Sequence, residues 1–232
     1  MATGSSIRVK AARNVLADHV YNQLMVAFMD GRLEADEPLN IDLLSREFEV
    51  SQTPIREALV RLESTGLVVR TVLKGYRVAP LFSLGEVVEL MDARLLIEPE
   101  NAFRACSRST DTLVTQLGET ISELDATKHH VESEAIGQYW QADERFHRLI
   151  AEAAGNRFLL AAYRSLGGHV QRFRLFGGLG VSDADAAIQE HTRVLEAFRA
   201  NDPAEARARM DSHICGVRTR AIADASHGHP SA

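Results

Sequence analysis

Cysteine, apolar runs and excess positive charge are all scarce in this chain, and each shortage excludes something. Two cysteines in 232 residues, Cys106 and Cys215, cannot build a disulfide framework or a four-thiolate zinc site. They suit a reducing compartment. No apolar run approaches the roughly 20 residues that a bilayer-spanning helix needs, and the opening MATGSSIRVKAARN has no apolar signal core. The chain is therefore expected to be cytoplasmic, with no membrane partner. The 26 Lys+Arg against 32 Asp+Glu leave a formal charge of −6, so this is no polycation. The deficit is uneven. Residues 1–80 hold ten basic and ten acidic side chains, whereas residues 81–232 hold 16 and 22. A surface for a polyanion belongs in the first third.

What remains is ordinary globular material, 45% hydrophobic and 25% charged, long enough for one large domain or two small ones. Residues 1–10 read as a flexible arm. Leu16, Val20, Leu24 and Ala27/Phe28 then recur at helical spacing, and Gly31 stops the run. Asp36-Glu37-Pro38 marks a turn. Asn40 caps a short helix carrying Leu43, Leu44 and Phe48. Ser51 opens another, with Pro54 in its first turn and Ile55, Ala58, Leu59 and Leu62 as its buried stripe, up to Gly66. The β-branched run Leu67–Val72, the turn Leu73-Lys74-Gly75 and the return Tyr76-Arg77-Val78 predict a two-stranded hairpin.

Beyond residue 80 strand signals vanish. Helices are predicted near 83–106, 110–129, 131–154, 156–176, 183–200 and 203–223, with 224–232 a disordered tail. The fold class is mainly α: a winged helix-turn-helix at 11–80, then a six-helix all-α bundle at 81–223. The third helix is the candidate reader. Gln52, Thr53, Arg56 and Arg61 lie off its apolar stripe, and such a helix offers its N-terminal residues to base edges in the major groove. Arginine can grip guanine O6 and N7 together. On the wing, Lys74 and Gly75 are placed to meet the sugar-phosphate chain, glycine allowing close approach.

From Leu16 to Val78 the sequence resembles the N-terminal domain of GntR-type bacterial transcription regulators. The telling residues are Val50-Ser51-x-Thr53-Pro54-x-Arg56-Glu57-Ala58-Leu59, followed by Leu62, Gly66-Leu67 and the wing Gly75. Two positions depart from that pattern. Gln52 stands where many relatives have arginine, and Asp42 where some do. Both remove positive charge from the expected DNA face.

In the second domain Asp143 and His147 are four residues apart, on one helix face. His191 and His213 have residue 202 as their midpoint, inside Asn201-Asp202-Pro203. If that is the turn of a helical hairpin, the two histidines stand at equal height. Three imidazoles and a carboxylate suit zinc, nickel, copper, manganese or iron, and a divalent zinc or nickel ion is the expectation. Arg94 follows Val87 and Leu90/Met91 at helical spacing, which turns it inward. A buried guanidinium needs a partner: either an effector carboxylate or Glu98, four residues on.

Residues 84–222 resemble the ligand-binding FCD domain of the FadR branch of GntR regulators. The matching pieces are Arg94-Leu95-x-x-Glu98-Pro99, Asp143-x-x-Phe146-His147, Ala154-Gly155-Asn156, Glu190-His191 and Met210-x-x-His213. The resemblance implies metal ligation by Asp143, His147, His191 and His213, an effector-binding Arg94, small organic acid effectors and a homodimer. Six helices look like the VanR-type subgroup. The reading is a regulator, of repressor type, that binds double-stranded operator DNA under control of a small carboxylic acid at a metal site. The alternatives are a metalloenzyme acting on a small acid, or a constitutive DNA-binding protein with a structural metal.

Overall fold

The computed structural model describes residues 5–29, 31–128, 133–176 and 183–227. The chain divides into two units, Met1–Pro80 and Leu81–Ala232.

The first unit runs α1 (Ser5–Met29), β1 (Pro38–Leu39), α2 (Ile41–Glu47), α3 (Gln52–Ser64), β2 (Val68–Thr71) and β3 (Gly75–Val78). Its first helix already starts at Ser5, so most of the stretch read as an arm is helical. Apolar periodicity marks only the packed part of a helix and cannot reveal a polar extension. Along α1 the buried positions are Ala17, Val20, Leu24, Ala27 and Phe28, while Leu16 is exposed. Gly31, at φ +66°, closes the helix, and the Arg32 amide returns to the Ala27 carbonyl. The Asn40 side chain caps α2 by accepting from the amides of Asp42 and Leu43. In α3, Ile55, Ala58, Leu59 and Leu62 are fully buried. The sheet has three strands rather than two, ordered β1-β3-β2. The added strand pairs Pro38 with Arg77 and Leu39 with Tyr76. Two residues carry no readable alternation, and Pro38, lacking an N–H, suits an edge.

The second unit holds six helices among the described residues: α4 (Leu84–Cys106), α5 (Asp111–Thr127), α6 (Ser133–Ala153), α7 (Arg157–Phe176), α8 (Ala184–Arg199) and α9 (Pro203–His227). Ser83 and Glu86 form a reciprocal capping box on α4. Between α6 and α7, Gly155 sits at φ +66°, and a Cβ there would collide with the Arg108 guanidinium. Asn201, at φ +50°, turns α8 into α9, and Asp202 receives the Glu205 amide. The core of α4, α5, α6, α8 and α9 includes Ala102, Leu117, Phe146, Ile150, Val194, Phe198, Met210 and Ile214. Tyr139 is buried in a smaller cluster, with Trp140 packed against it. Four residues of the predicted tail are helical, since α9 runs on to His227. The break expected at 129–130, the first residues of the helix predicted from 131, the loop expected at 177–182, and residues 228–232 lie outside the described residues.

Candidate metal centre and nucleic-acid interface

Each unit gathers polar side chains in a different way. In the first, α3 presents Gln52 and Arg56 on its exposed face, with Thr53 half-buried. The Gln52 amide donates to Asp42 Oδ1 on α2 at 2.5 Å, and its Oε1 accepts from Arg56 at 3.2 Å. The two departures from the family pattern, Asp42 and Gln52, are thus partners of each other. Arg61 lies apart from this group. It reaches Asp18 on α1 at 2.5 Å and covers the Tyr21 ring at 4.3 Å. Both partners lie some forty residues away in sequence, and Arg61 stays about half exposed. On the wing, Gly75 starts β3 opposite Thr71 at φ +79°, with open space around it. Lys74 is exposed beside it.

In the second unit the structure brings Asp143, His147, His191 and His213 together, all buried. Asp143 and His147 come from α6, His191 from α8 and His213 from α9. The α8–α9 turn makes neighbours of the last two. Nε2 of His213 lies 3.2 Å from Nε2 of His191 and 3.3 Å from Nε2 of His147. Oxygens of Asp143 stand 3.7 Å from the His191 Nε2 and 3.9 Å from the His147 Nε2. The three histidines form a group able to hold a metal ion.

Carboxylates back two of the rings. His213 Nδ1 meets Glu190 at 2.7 Å, and His147 Nδ1 meets Glu98 at 2.6 Å. Burial opposes ionisation of Glu190, but hydrogen bonds from His213 and Arg220 prevail and bring its pKa down to about 2. Burial likewise opposes ionisation of Glu98, and the charges of Arg94 and His147 overcome it, holding that carboxyl well below the usual range. Burial also lowers the His213 pKa, only partly offset by Glu190. An ionised carboxylate can only accept, so the His213 bond to Glu190 places that ring's proton on Nδ1. The His213 Nε2 then turns a lone pair toward the Nε2 atoms of His191 and His147. A cation would find that lone pair ready, and a carboxylate behind the imidazole is the usual preparation of a histidine for a metal. The donor set fits a divalent transition ion.

Arg94 is buried and paired. Its Nε donates to Glu98 Oε1 at 2.5 Å and its Nη2 to Oε2 at 3.4 Å. Of the two partners open to it in the sequence, Glu98 is the one in place. Its Nη1 is nevertheless buried without a hydrogen-bond partner.

Several contributors went unread in the sequence. Arg220 grips Glu190 through both terminal nitrogens at 2.9 and 3.0 Å, and reaches Asp183 at 2.7 Å. Gly216 leaves the space Glu190 occupies: a Cβ there would stand 2.6 Å from Glu190 Oε1. Reflection about the midpoint of Asn201 and Asp202 pairs Glu190 with His213 and Asp183 with Arg220, and brings His191 within one residue of the position opposite His213. Tyr163 on α7 is buried, its hydroxyl 3.5 Å from the Glu144 carbonyl. Burial first, then the charges of Glu98 and Glu144, holds this phenol well above its ordinary range. Nothing in its local sequence signals that.

Comparison with known proteins agrees with both units. Residues 16–78 match the bacterial regulatory proteins of the gntR family, and residues 89–215 match the FCD domain. The HTH-type transcriptional repressor GlaR of Escherichia coli (strain K12) is 28% identical over 202 residues, covering 84% of this chain and 90% of its own. The Nta operon transcriptional regulator of Aminobacter aminovorans is 27% identical over 178 residues, covering 77% and 81%. Among solved structures, E. coli McbR/YncC aligns with a TM-score of 0.70 at 19% identity, covering 89% of this chain and 96% of that one. No helix among the described residues is long and apolar enough to cross a membrane. These are families of transcription regulators rather than enzymes, and the chain belongs to them: it is a GntR-family bacterial transcription regulator with an FCD domain C-terminal to its winged helix-turn-helix.

Proposed function

We propose that this regulator is a cytoplasmic homodimer, a repressor whose hold on a double-stranded operator is set by a small carboxylic acid at a metal centre. Asp143, His147, His191 and His213 hold the metal, with zinc and nickel the leading candidates. Arg94 binds the acid. Six helices in the second unit support a place in the FadR branch, in its VanR-like subgroup. Gln52, Thr53, Arg56 and Arg61 read the operator, with Lys74 and Gly75 on the flanking backbone. Arg61 also ties α3 to α1 through Asp18.

The observation that carries this reading is the buried centre itself. Three Nε2 atoms converge, and Glu98 ties one of their rings to Arg94, whose Nη1 has no partner. A guanidinium edge engaged by one carboxylate leaves another edge for a second, and such charge-assisted bonds are among the strong ones. A bound metal would supply Lewis-acid attraction for the same anion. The acid then acts by favouring one arrangement of the regulator over another, and operator affinity changes only by that difference.

The test is thermal unfolding of metal-stripped protein with and without zinc or nickel, across a panel of small carboxylic acids. A ligand that binds only the folded state raises its stability. The expected result is an acid that raises Tm only in the metal-loaded protein. Stabilisation by metal with no further gain from any acid would favour a structural metal in a constitutive DNA binder. His191→Ala is expected to lower the bound metal per chain, and an unchanged metal content would overturn the ligand set.

A further inference from the structure

We propose that Leu73 is an apolar wedge for the minor groove of the DNA that the first unit binds. The inference rests on the operator-binding reading and adds to it a contact made by hydrophobic surface rather than charge.

Leu73 stands at the apex of the wing. The Lys74 amide closes the turn onto the Thr71 carbonyl at 3.1 Å, and the flanking pair Thr71 and Gly75 is held in register. At that apex Leu73 has φ +65°, a left-handed conformation that costs an ordinary residue energy and that glycine adopts freely. No packing offsets the cost, because Leu73 is 102% exposed, and its neighbour Val72 is 85% exposed. Below them the hairpin is anchored by the buried Val68, Tyr76 and Val78. Leu43 and Val60 are also exposed, but they lie singly on helices, as surface apolar residues commonly do. A leucine that is strained, unpacked and projected by a pinned hairpin contributes nothing to folding. Strain kept at an exposed tip points to a use there.

The surrounding charge selects the occupant. Between Glu63 and Glu86 the chain has no Asp or Glu, while Arg70, Lys74 and Arg77 fall within that stretch. Arg77 is bound to the Asp36 carbonyl, which leaves Arg70 and Lys74 beside the tip for phosphates. DNA supplies both surfaces this tip needs: phosphates for the two cations and, between them, deoxyribose walls and the apolar faces of bases at an opened step. A narrow hairpin tip suits the minor groove, about 6 Å wide, better than the major groove at about 12 Å, which admits a whole helix. Leucine is among the side chains that wedge between base steps there and bend the duplex.

The experiment uses the full chain. Wild-type protein selects duplexes from a random-sequence pool, and the enriched duplex becomes the probe for every variant at fixed salt. Leu73→Gly removes the wedge and the backbone strain together. It is expected to bind the probe about tenfold more weakly, with Tm unchanged or raised. The salt dependence of binding stays the same, since no phosphate contact is lost. Leu73→Met keeps an apolar side chain and is expected to bind within about twofold of wild type. Gel mobility of circularly permuted probes should show a smaller bend with the glycine variant than with wild type. Glycine-variant binding within about twofold of wild type would overturn the wedge and leave operator binding intact. So would a methionine variant as weak as the glycine one. A wild-type chain that enriches no sequence would overturn both readings.

Discussion

The polar groups of the two units differ in what they give up to be where they are. On the α2–α3 face, Asp42, Gln52 and Arg56 bond one another at the surface, where water stands ready to replace any partner. Around the histidines no such replacement exists: Arg94 and Glu98 are 2% and 5% exposed in their side chains, and each depends on the other. The first arrangement can be rewired cheaply to meet a base edge. The second is fixed, and a change at one member leaves another charge stranded. On the proposed function, recognition of DNA and sensing of a ligand would sit at opposite ends of the same physical scale.

Substitutions can break that contrast or sharpen it. The largest effect is expected from Glu98→Ala, which strands a buried guanidinium. Loss of one partner from such a pair costs about 3–5 kcal/mol, read as a drop in Tm or in denaturation midpoint. An unchanged midpoint would mean that Arg94 is neutralised by something other than Glu98. Next comes Arg56→Ala, expected to weaken specific operator binding by about 1–3 kcal/mol if the guanidinium grips a base. Equal affinity at equal salt would remove Arg56 from the readers. Gly216→Ala sets two effects against each other. Alanine favours the helix by up to about 1 kcal/mol, yet its Cβ would push Glu190 off His213. Disturbing a partner of a metal-bound histidine typically weakens metal binding about 10–100-fold. Calorimetric titration with zinc should show the loss without a lower Tm of the metal-free protein, and undiminished zinc affinity would show that Glu190 does not position His213. Smallest is Asp18→Ala. Its partner Arg61 is 46% exposed, and exposed pairs are worth at most about 1 kcal/mol. Tm should move little; an unchanged operator preference would show that Arg61 meets DNA without help from Asp18, and a changed one that the tie to Asp18 sets how Arg61 is presented.

Much of this was legible in the residues, where the information is local or symmetric. Asn40 and Gly31 announce helix ends because caps are short-range chemistry. His191 and His213 could be joined because a helical hairpin reflects one strand of sequence onto the other. What stayed hidden depends on contacts between elements. The tie of Arg61 to Asp18 cannot be read from α3 alone. Strand β1 is too short to show a period. Glu98 was visible as a partner for Arg94, but its second oxygen faces His147 across a helix interface, and no spacing encodes that. The pairing of Asp42 with Gln52 was hidden for the same reason, although both had been noticed as departures.

The backing of the histidines also determines the sign of the site. Glu190 is matched by Arg220 and Glu98 by Arg94, so with neutral imidazoles Asp143 leaves the buried centre with one negative charge. A divalent cation among the three Nε2 atoms would invert that to one positive charge. A carboxylate arriving first would be repelled, and one arriving second attracted. On the proposed function the centre would therefore impose an order of events: the ion would have to be in place before an acid could be read, and the regulator would report the acid only when the metal is also in supply.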